Sequence, residues 1–313
     1  MTDIAASPPN CPITGLPAAR LIQNIGSRFL QGLWRDSFGV DATGSLADVK
    51  RFGLWESPCG LAFFDPMTAG DAGFYHGLYG RLGWHDILGA PGVRRPEFTR
   101  GAALVPNGAA LLDVGAGEGG FSRFAPGARY VGLEPNAVST IESIDIRNET
   151  IERHAQSNAG AYDVVCAFEV IEHVADPFGF ATAMVSCLKP GGRFILGVPN
   201  WPSPLTDIPD FAMNAPPHHL TWWTENALRA LCDRLGLNVE SVQGLPPGSH
   251  DTLIYWMARL SPKLTGKRYF RAHKGWYLAL AWAWLAGRVA DALFTPPEGA
   301  TPMTLLLSAR RPL

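Results

Sequence analysis

Two stretches of the chain concentrate side chains able to do chemistry. The first, LLDVGAGEGG at 111–120, is an apolar run that ends in glycines, which let a backbone approach a ligand closely and take positive φ. Gly115, Gly117 and Gly120 fit the G-x-G-x-x-G spacing of dinucleotide-binding turns, and Glu134 ends the next apolar run, where a carboxylate can hold ribose hydroxyls. Asp113, however, stands two residues before the first glycine, where such turns normally carry an apolar residue. The turn alone leaves its ligand open. The second stretch is FEVIEH at 168–173, followed at a distance by PPHHL at 216–220. A helix starting there puts Glu169, Glu172 and His173 on one face, and His218 or His219 would arrive from a proline-rich loop. Carboxylates with imidazoles suit a divalent cation such as Mg²⁺ or Mn²⁺. They also suit a metal-free general base at His173, His218 or His219, or side chains that only shape the site.

The elements that must position these groups read as alternating strand and helix. Short β-branched runs at 110–115, 129–134, 162–168, 193–198 and 237–242, with a last one at 303–309, read as buried strands. Helix-like segments lie between them at about 136–145, 176–188 and 224–236, the last opened by Thr224 and closed by Gly236. This alternation predicts an α/β fold with a doubly wound, mainly parallel sheet. TIERHA at 150–155 is a candidate for an extra strand. Six prolines between 199 and 217 exclude a long helix and predict a lid or binding loop. An insertion at 244–300 has no acidic residue between Thr252 and Val289, and its cations precede an apolar Trp/Tyr-rich segment. That composition fits peripheral membrane contact through 259–288. It also fits a helix packed over the site with Trp276, Leu280 and Trp284 turned inward.

The order of these motifs resembles the class I S-adenosylmethionine (SAM)-dependent methyltransferases, whose first motif, hhDhGxGxG, matches Leu111 to Gly119. YVGLEP at 130–135, YDVVCAFEVIEH at 162–173 and LKPGGRFILGVPN at 188–200 continue the likeness. The resemblance implies a Rossmann-like seven-stranded sheet, SAM as cofactor and a small-molecule acceptor. An oxygen of a sugar, a phenolic or quinone-like ring, or a lipid-linked molecule would take the methyl group. In this reading Glu134 holds the SAM ribose, and the Gly115, Gly117, Gly119 turn wraps the methionine and ribose. Asp113 orients that turn, Ala116, Pro135, Phe168 and Glu169 join the cofactor set, and adenine falls near Ala155 or Gln156. E-x-x-E-H with a distant histidine is similar to the metal set of the ubiquinone-biosynthesis O-methyltransferases, which implies Glu169, Glu172, His173 and His219 as ligands. An NAD-dependent oxidoreductase and a non-catalytic scaffold of the same fold are the rival readings; Asp113 weighs against the first, the intact Gly115, Gly117 and Glu134 against the second.

The N-terminal piece resembles the zinc ribbon that opens many such enzymes, with Cys11-Pro-Ile-Thr14 and Glu56-Ser-Pro-Cys59 in place of two C-x-x-C pairs. Thr14 and Glu56 stand where thiolates are needed, so a retained ribbon without its metal is expected. The organisation expected is a degenerate ribbon over 1–70, a helical substrate-side linker over 71–105 and the methyltransferase domain over 106–313. Five scattered cysteines and an N-terminus without a signal-peptide pattern predict a reduced, cytoplasmic protein. A net charge of −2 argues against nucleic acid as a partner. The longest uncharged apolar stretch, Gly275 to Gly287, is shorter than the roughly 17–25 residues a membrane-spanning helix needs.

Overall fold

Two sheets share one interior in the computed structural model, which describes residues 7–82, 93–135, 144–249, 251–262, 268–271 and 275–313. In the N-terminal part β1 (Arg20–Gly26), β2 (Arg51–Glu56) and β3 (Ala62–Asp65) form an antiparallel meander, with the helix Ser27–Phe38 after β1. β4 (Ala110–Val114), β5 (Arg129–Leu133), β6 (Asp145–Arg147), β7 (Tyr162–Phe168) and β8 (Leu188–Pro199) are mutually parallel along the main sheet. β9 (Thr221–Trp222) leaves that sheet and pairs with β3, so the N-terminal sheet borrows its last strand from the proline-rich loop. β10 (Asn238–Gly244) and β11 (Thr304–Arg310) complete the order β10-β11-β8-β7-β4-β5-β6, with β11 antiparallel to both of its neighbours. The seven-stranded, mainly parallel Rossmann-like sheet is therefore present.

Each main strand was legible because its apolar run is buried on both faces: Leu111, Leu112, Val164, Val165, Leu196 and Leu307 are all fully enclosed. The helix Glu225–Leu235 starts where Thr224 accepts the Ala227 N–H and stops at Gly236 in the left-handed conformation. The segment 150–155 is helix, not strand. Thr150 caps Ile151–Ala155, and the third parallel strand is the short β6 just before it. The helix expected at about 136–145 falls almost wholly outside the described residues.

The proline-rich segment is no open lid. Trp201, Ser203, Thr206, Ile208, Ala212, Asn214 and Ala215 are buried, and several of its polar groups pair internally: Asn214 Nδ2 donates to the Leu205 carbonyl at 2.7 Å and Trp222 Nε1 to the Asn214 carbonyl at 3.0 Å. Backbone that pairs its own donors can run through an interior. In the insertion, the helix Trp276–Leu293 packs on the helix Asp251–Leu260. Trp276 is buried and Leu280 half-buried, but Trp284 faces solvent, against the expectation of an inward triad. Small residues, not tryptophans, make most of that seam.

In the ribbon-like segment, Glu56 pairs with Arg20 on the adjacent strand at 2.5 Å. Cys11 and Cys59 place their sulfurs 4.0 Å apart, with Ser57 Oγ 3.2 Å from Cys59. The hydrogen bond from Cys59 holds the Cys11 thiol down at about 5 and pushes its partner's up.

Candidate active site

At the carboxyl end of β4 the chain turns through Gly115, Gly117 and Gly119, all at positive φ. Gly115 must be glycine for a second reason: a Cβ there would collide with Val170 on the turn after β7. The space that a Cβ on Gly117 would enter is open, as a cradle for a ligand requires. Gly115 and Ala116 donate backbone N–H groups to the Leu133 carbonyl, tying the turn to the end of β5. Gly117 N–H donates to Glu134 Oε2 at 3.2 Å, so turn and carboxylate form one unit. Pro135 follows at the surface. Asp113 lies beneath the turn, buried, accepting the Tyr130 hydroxyl at 2.6 Å and facing the Cys166 thiol at 3.6 Å. Burial pushes its carboxyl up to about 6, against the pull of those two bonds.

The second group assembles on the turn after β7. Glu169 adopts φ +57, in the left-handed region that costs a side-chain-bearing residue of order 1 kcal/mol or more. Its N–H donates to the Gly197 carbonyl on β8, which helps to hold it there. A short 3₁₀ turn, Ile171–His173, follows in place of the α-helix assumed for face sharing. Convergence is achieved nonetheless. Glu172 is fully buried with neither carboxylate oxygen hydrogen-bonded, one of them 3.7 Å from His173 Nε2, and Glu169 Oε1 is likewise buried without a partner. Burial first, then the neighbouring Glu172, drives the Glu169 carboxyl well above its usual range, and burial raises Glu172 to about 8.

His218 and His219 come to the same spot. Ring nitrogens of His173, His218 and His219 all lie within 4.8 Å of one another, the one such cluster among the described residues. His173 Nδ1 is 2.8 Å from the His218 carbonyl and His218 Nδ1 is 3.0 Å from the Met213 carbonyl. A carbonyl can only accept, so both Nδ1 atoms carry the proton and both Nε2 atoms present a lone pair. Burial lowers His173 to about 4 and pulls His218 and His219 well below the ordinary imidazole range. Burial thus favours the neutral form of all three rings.

Residues from outside the main sheet hold this loop. Trp34 Nε1 donates to the Pro216 carbonyl at 2.8 Å, Leu220 N–H to the Glu172 carbonyl, Phe64 N–H to the Leu220 carbonyl and Gly70 N–H to the Pro217 carbonyl. On the helix Ala72–Leu82, Tyr75 and Tyr79 stack with centroids 5.7 Å apart, and Tyr75 meets His173 edge to ring and His218 at a tilt. Burial, with the charges of Glu134 and Glu172 nearby, raises Tyr79 to about 12. Both tyrosines escaped the sequence reading, although their i, i+4 spacing on a helical stretch was the available signal. So did the half-buried Arg95 and the buried Glu97, a pair 2.5 Å apart whose charges reach Glu169.

Three expected cofactor contacts are not brought in by their side chains. Phe168 fills an aromatic cluster with Phe98 and Phe121 at centroid distances of 5.3 and 4.7 Å. Ala155 and Gln156 sit at the end of a helix because the third strand ends at Arg147; the position just after that strand is Asn148.

A family model described as a methyltransferase domain matches residues 94–242. The ubiquinone biosynthesis O-methyltransferase of Xanthomonas axonopodis is 36% identical over 111 residues, covering 32% of this chain and 46% of the relative. That of Cronobacter sakazakii is 38% identical over 105 residues, covering 30% and 43%. The match spans less than half the length of these curated relatives. Among solved structures, a putative methyltransferase complexed with the Trm112 activator from Haloferax volcanii shares 17% identity at a TM-score of 0.49, over 75% of this chain and 95% of that one. Burkholderia thailandensis 1,6-didemethyltoxoflavin-N1-methyltransferase, solved with S-adenosylhomocysteine, shares 16% at 0.45, over 75% and 83%. At those scores the likeness adds nothing to the topology described above. Residues 94–242 thus match a methyltransferase domain and include the greater part of the seven-stranded Rossmann-like sheet.

Proposed function

We propose that the protein transfers a methyl group from SAM to an oxygen of a small molecule with vicinal oxygens, of the phenolic or catechol type, at a site that also holds a divalent cation. The observation that carries this reading is the pair of Nδ1–H groups of His173 and His218 on backbone carbonyls. That arrangement leaves Nε2 of each ring as its acceptor, and that of His173 lies 3.7 Å from the buried Glu172 carboxylate, whose oxygens have no hydrogen-bond partner. Imidazole ligands oriented this way, with carboxylate, fit Mg²⁺, Mn²⁺ or another divalent ion. Glu169, Glu172, His173 and His218 or His219 would hold it. When bound, SAM supplies an electrophilic methyl and the cation lowers the pKa of a coordinated hydroxyl.

The chain's own residues do the positioning. Glu134 would accept the ribose hydroxyls while retaining the Gly117 N–H, and the open cradle in front of Gly117 would admit the methionine and ribose portion. With the third strand ending at Arg147, Asn148 replaces Ala155 and Gln156 beside adenine. Tyr75 and Tyr79 wall the acceptor side and exclude water, which strengthens the electrostatics within. The relatives named for ubiquinone biosynthesis support a phenolic acceptor. A lone histidine base is the weaker alternative, because an imidazole held near 4 is a poor proton acceptor at neutral pH.

The test is transfer of tritiated methyl from SAM to a panel of catechols, with and without chelator, alongside Mn²⁺ titration of the full chain. The proposal expects chelation to abolish transfer while SAM affinity holds, and His218→Ala to weaken Mn²⁺ by roughly 10–100-fold. Transfer that survives exhaustive chelation would remove the cation from the mechanism.

A further inference from the structure

The helix Trp276–Leu293 is built inside out for a soluble partner. Its inner seam is made of Ala279, Ala283, Gly287 and Ala290, all buried. A Cβ on Gly287 would come within 2.9 Å of Met257, so the small residues permit close approach to the helix Asp251–Leu260. The large side chains are consequently left outside. Leu278 is 78% exposed, Trp282 59%, Leu285 56%, Val289 56% and Leu293 67%. Their spacing of 4, 3, 4 and 4 residues draws one continuous stripe along the helix. Tyr277 and Phe294 are exposed as well.

Charge decides what this face suits. The helix carries one acidic residue, the half-buried Asp291 in its last turn, and none occurs between Thr252 and Ala290. Arg259, Arg268 and Arg288 are exposed, Arg288 over the Trp284 ring at 5.8 Å, and Lys263, Lys267 and Lys274 belong to the same stretch of sequence. Pairing with a second copy of the chain would set this cationic fringe against itself. An anionic bilayer complements both features, taking aromatic and aliphatic side chains below the headgroups and cations at their level. No helix among the described residues is long and apolar enough to cross a membrane, so the contact would lie in the plane of the surface.

We propose that the exposed stripe of the helix Trp276–Leu293 docks the protein on an anionic lipid surface. The test is flotation of the full chain with phosphatidylglycerol-containing vesicles, beside pure phosphatidylcholine vesicles and across a salt series. The protein should float with the anionic vesicles and progressively less as salt screens the cations. The triple variant Leu278→Ser, Trp282→Ser, Leu285→Ser changes only exposed side chains. It should fall to the level seen without vesicles while its melting temperature and SAM affinity stay at wild-type values. Absence of flotation at low salt, or flotation unchanged in the triple variant, would overturn the proposal. So would a lipid-free dimer that the same variant dissolves and that never floats.

Discussion

Asp113 shows how a site residue can be costly to the fold. Its carboxyl is buried and pushed up to about 6 by desolvation, with Tyr130 and Cys166 partly compensating. A folded-state pKa above the unfolded value of roughly 3.9 means that the group's contribution to stability is fully present below that value and is lost as pH rises through 6. Asp113→Asn keeps an acceptor for the Tyr130 hydroxyl and removes the buried charge. It should therefore stabilise the protein by about 1–3 kcal/mol at pH 7.5 and by little at pH below ~4, read by urea denaturation at both. An equal effect at the two values would show that the charge is not the cause. The glycine turn, Glu134, Glu169, Glu172 and the histidines could be found in the sequence because each lies in a local motif of recognisable spacing. Tyr75 and Tyr79 could not be assigned in the same way, since nothing in their own helix indicates that it folds against His173 and His218.

Among the elements, the long buried strands were readable and the short ones were not. β6 has only three residues, too few for a periodic signal. The β-branched start of TIERHA suggested a strand, whereas Thr150 serves as a helix cap with its side chain on the Arg153 N–H. β9 has two residues, and its pairing with β3 depends on a contact between segments more than 150 residues apart. That pairing matters for the chemistry, because β9 directly follows His218 and His219. Trp34 on the helix Ser27–Phe38 clamps the same loop through the Pro216 carbonyl, with its ring 5.9 Å from that of His218. Trp34→Phe would leave a buried carbonyl without its donor. It should cost about 1–3 kcal/mol of stability and weaken Mn²⁺ binding more than SAM binding, as parallel titrations would show. Equal losses for both ligands would mean that Trp34 supports the whole domain instead of the histidine loop.

On the scale of the whole molecule, the N-terminal segment is no detachable module. Cys11, Ile13, Leu61 and Phe63 are enclosed in the same apolar cluster as Leu112, Val165, Leu196 and Leu231 of the main sheet and its helix. Arg234 adds a hydrogen bond to the Ile13 carbonyl at 2.6 Å. A shared core predicts one cooperative calorimetric transition with matching calorimetric and van't Hoff enthalpies; two resolved transitions would contradict it. The thiolate-to-Glu56 change is legible in the same terms, since the carboxylate is occupied by Arg20 across the strand pair. The central claim is that the turn at Gly115–Gly119 with Glu134 is a SAM site, and calorimetric titration of the full chain with S-adenosylhomocysteine tests it most directly. Micromolar binding is expected, with no heat from NADH and a loss of about 1–3 kcal/mol in Glu134→Ala, roughly 5–150-fold in affinity. Binding of NADH without S-adenosylhomocysteine, or an unchanged affinity in Glu134→Ala, would contradict it.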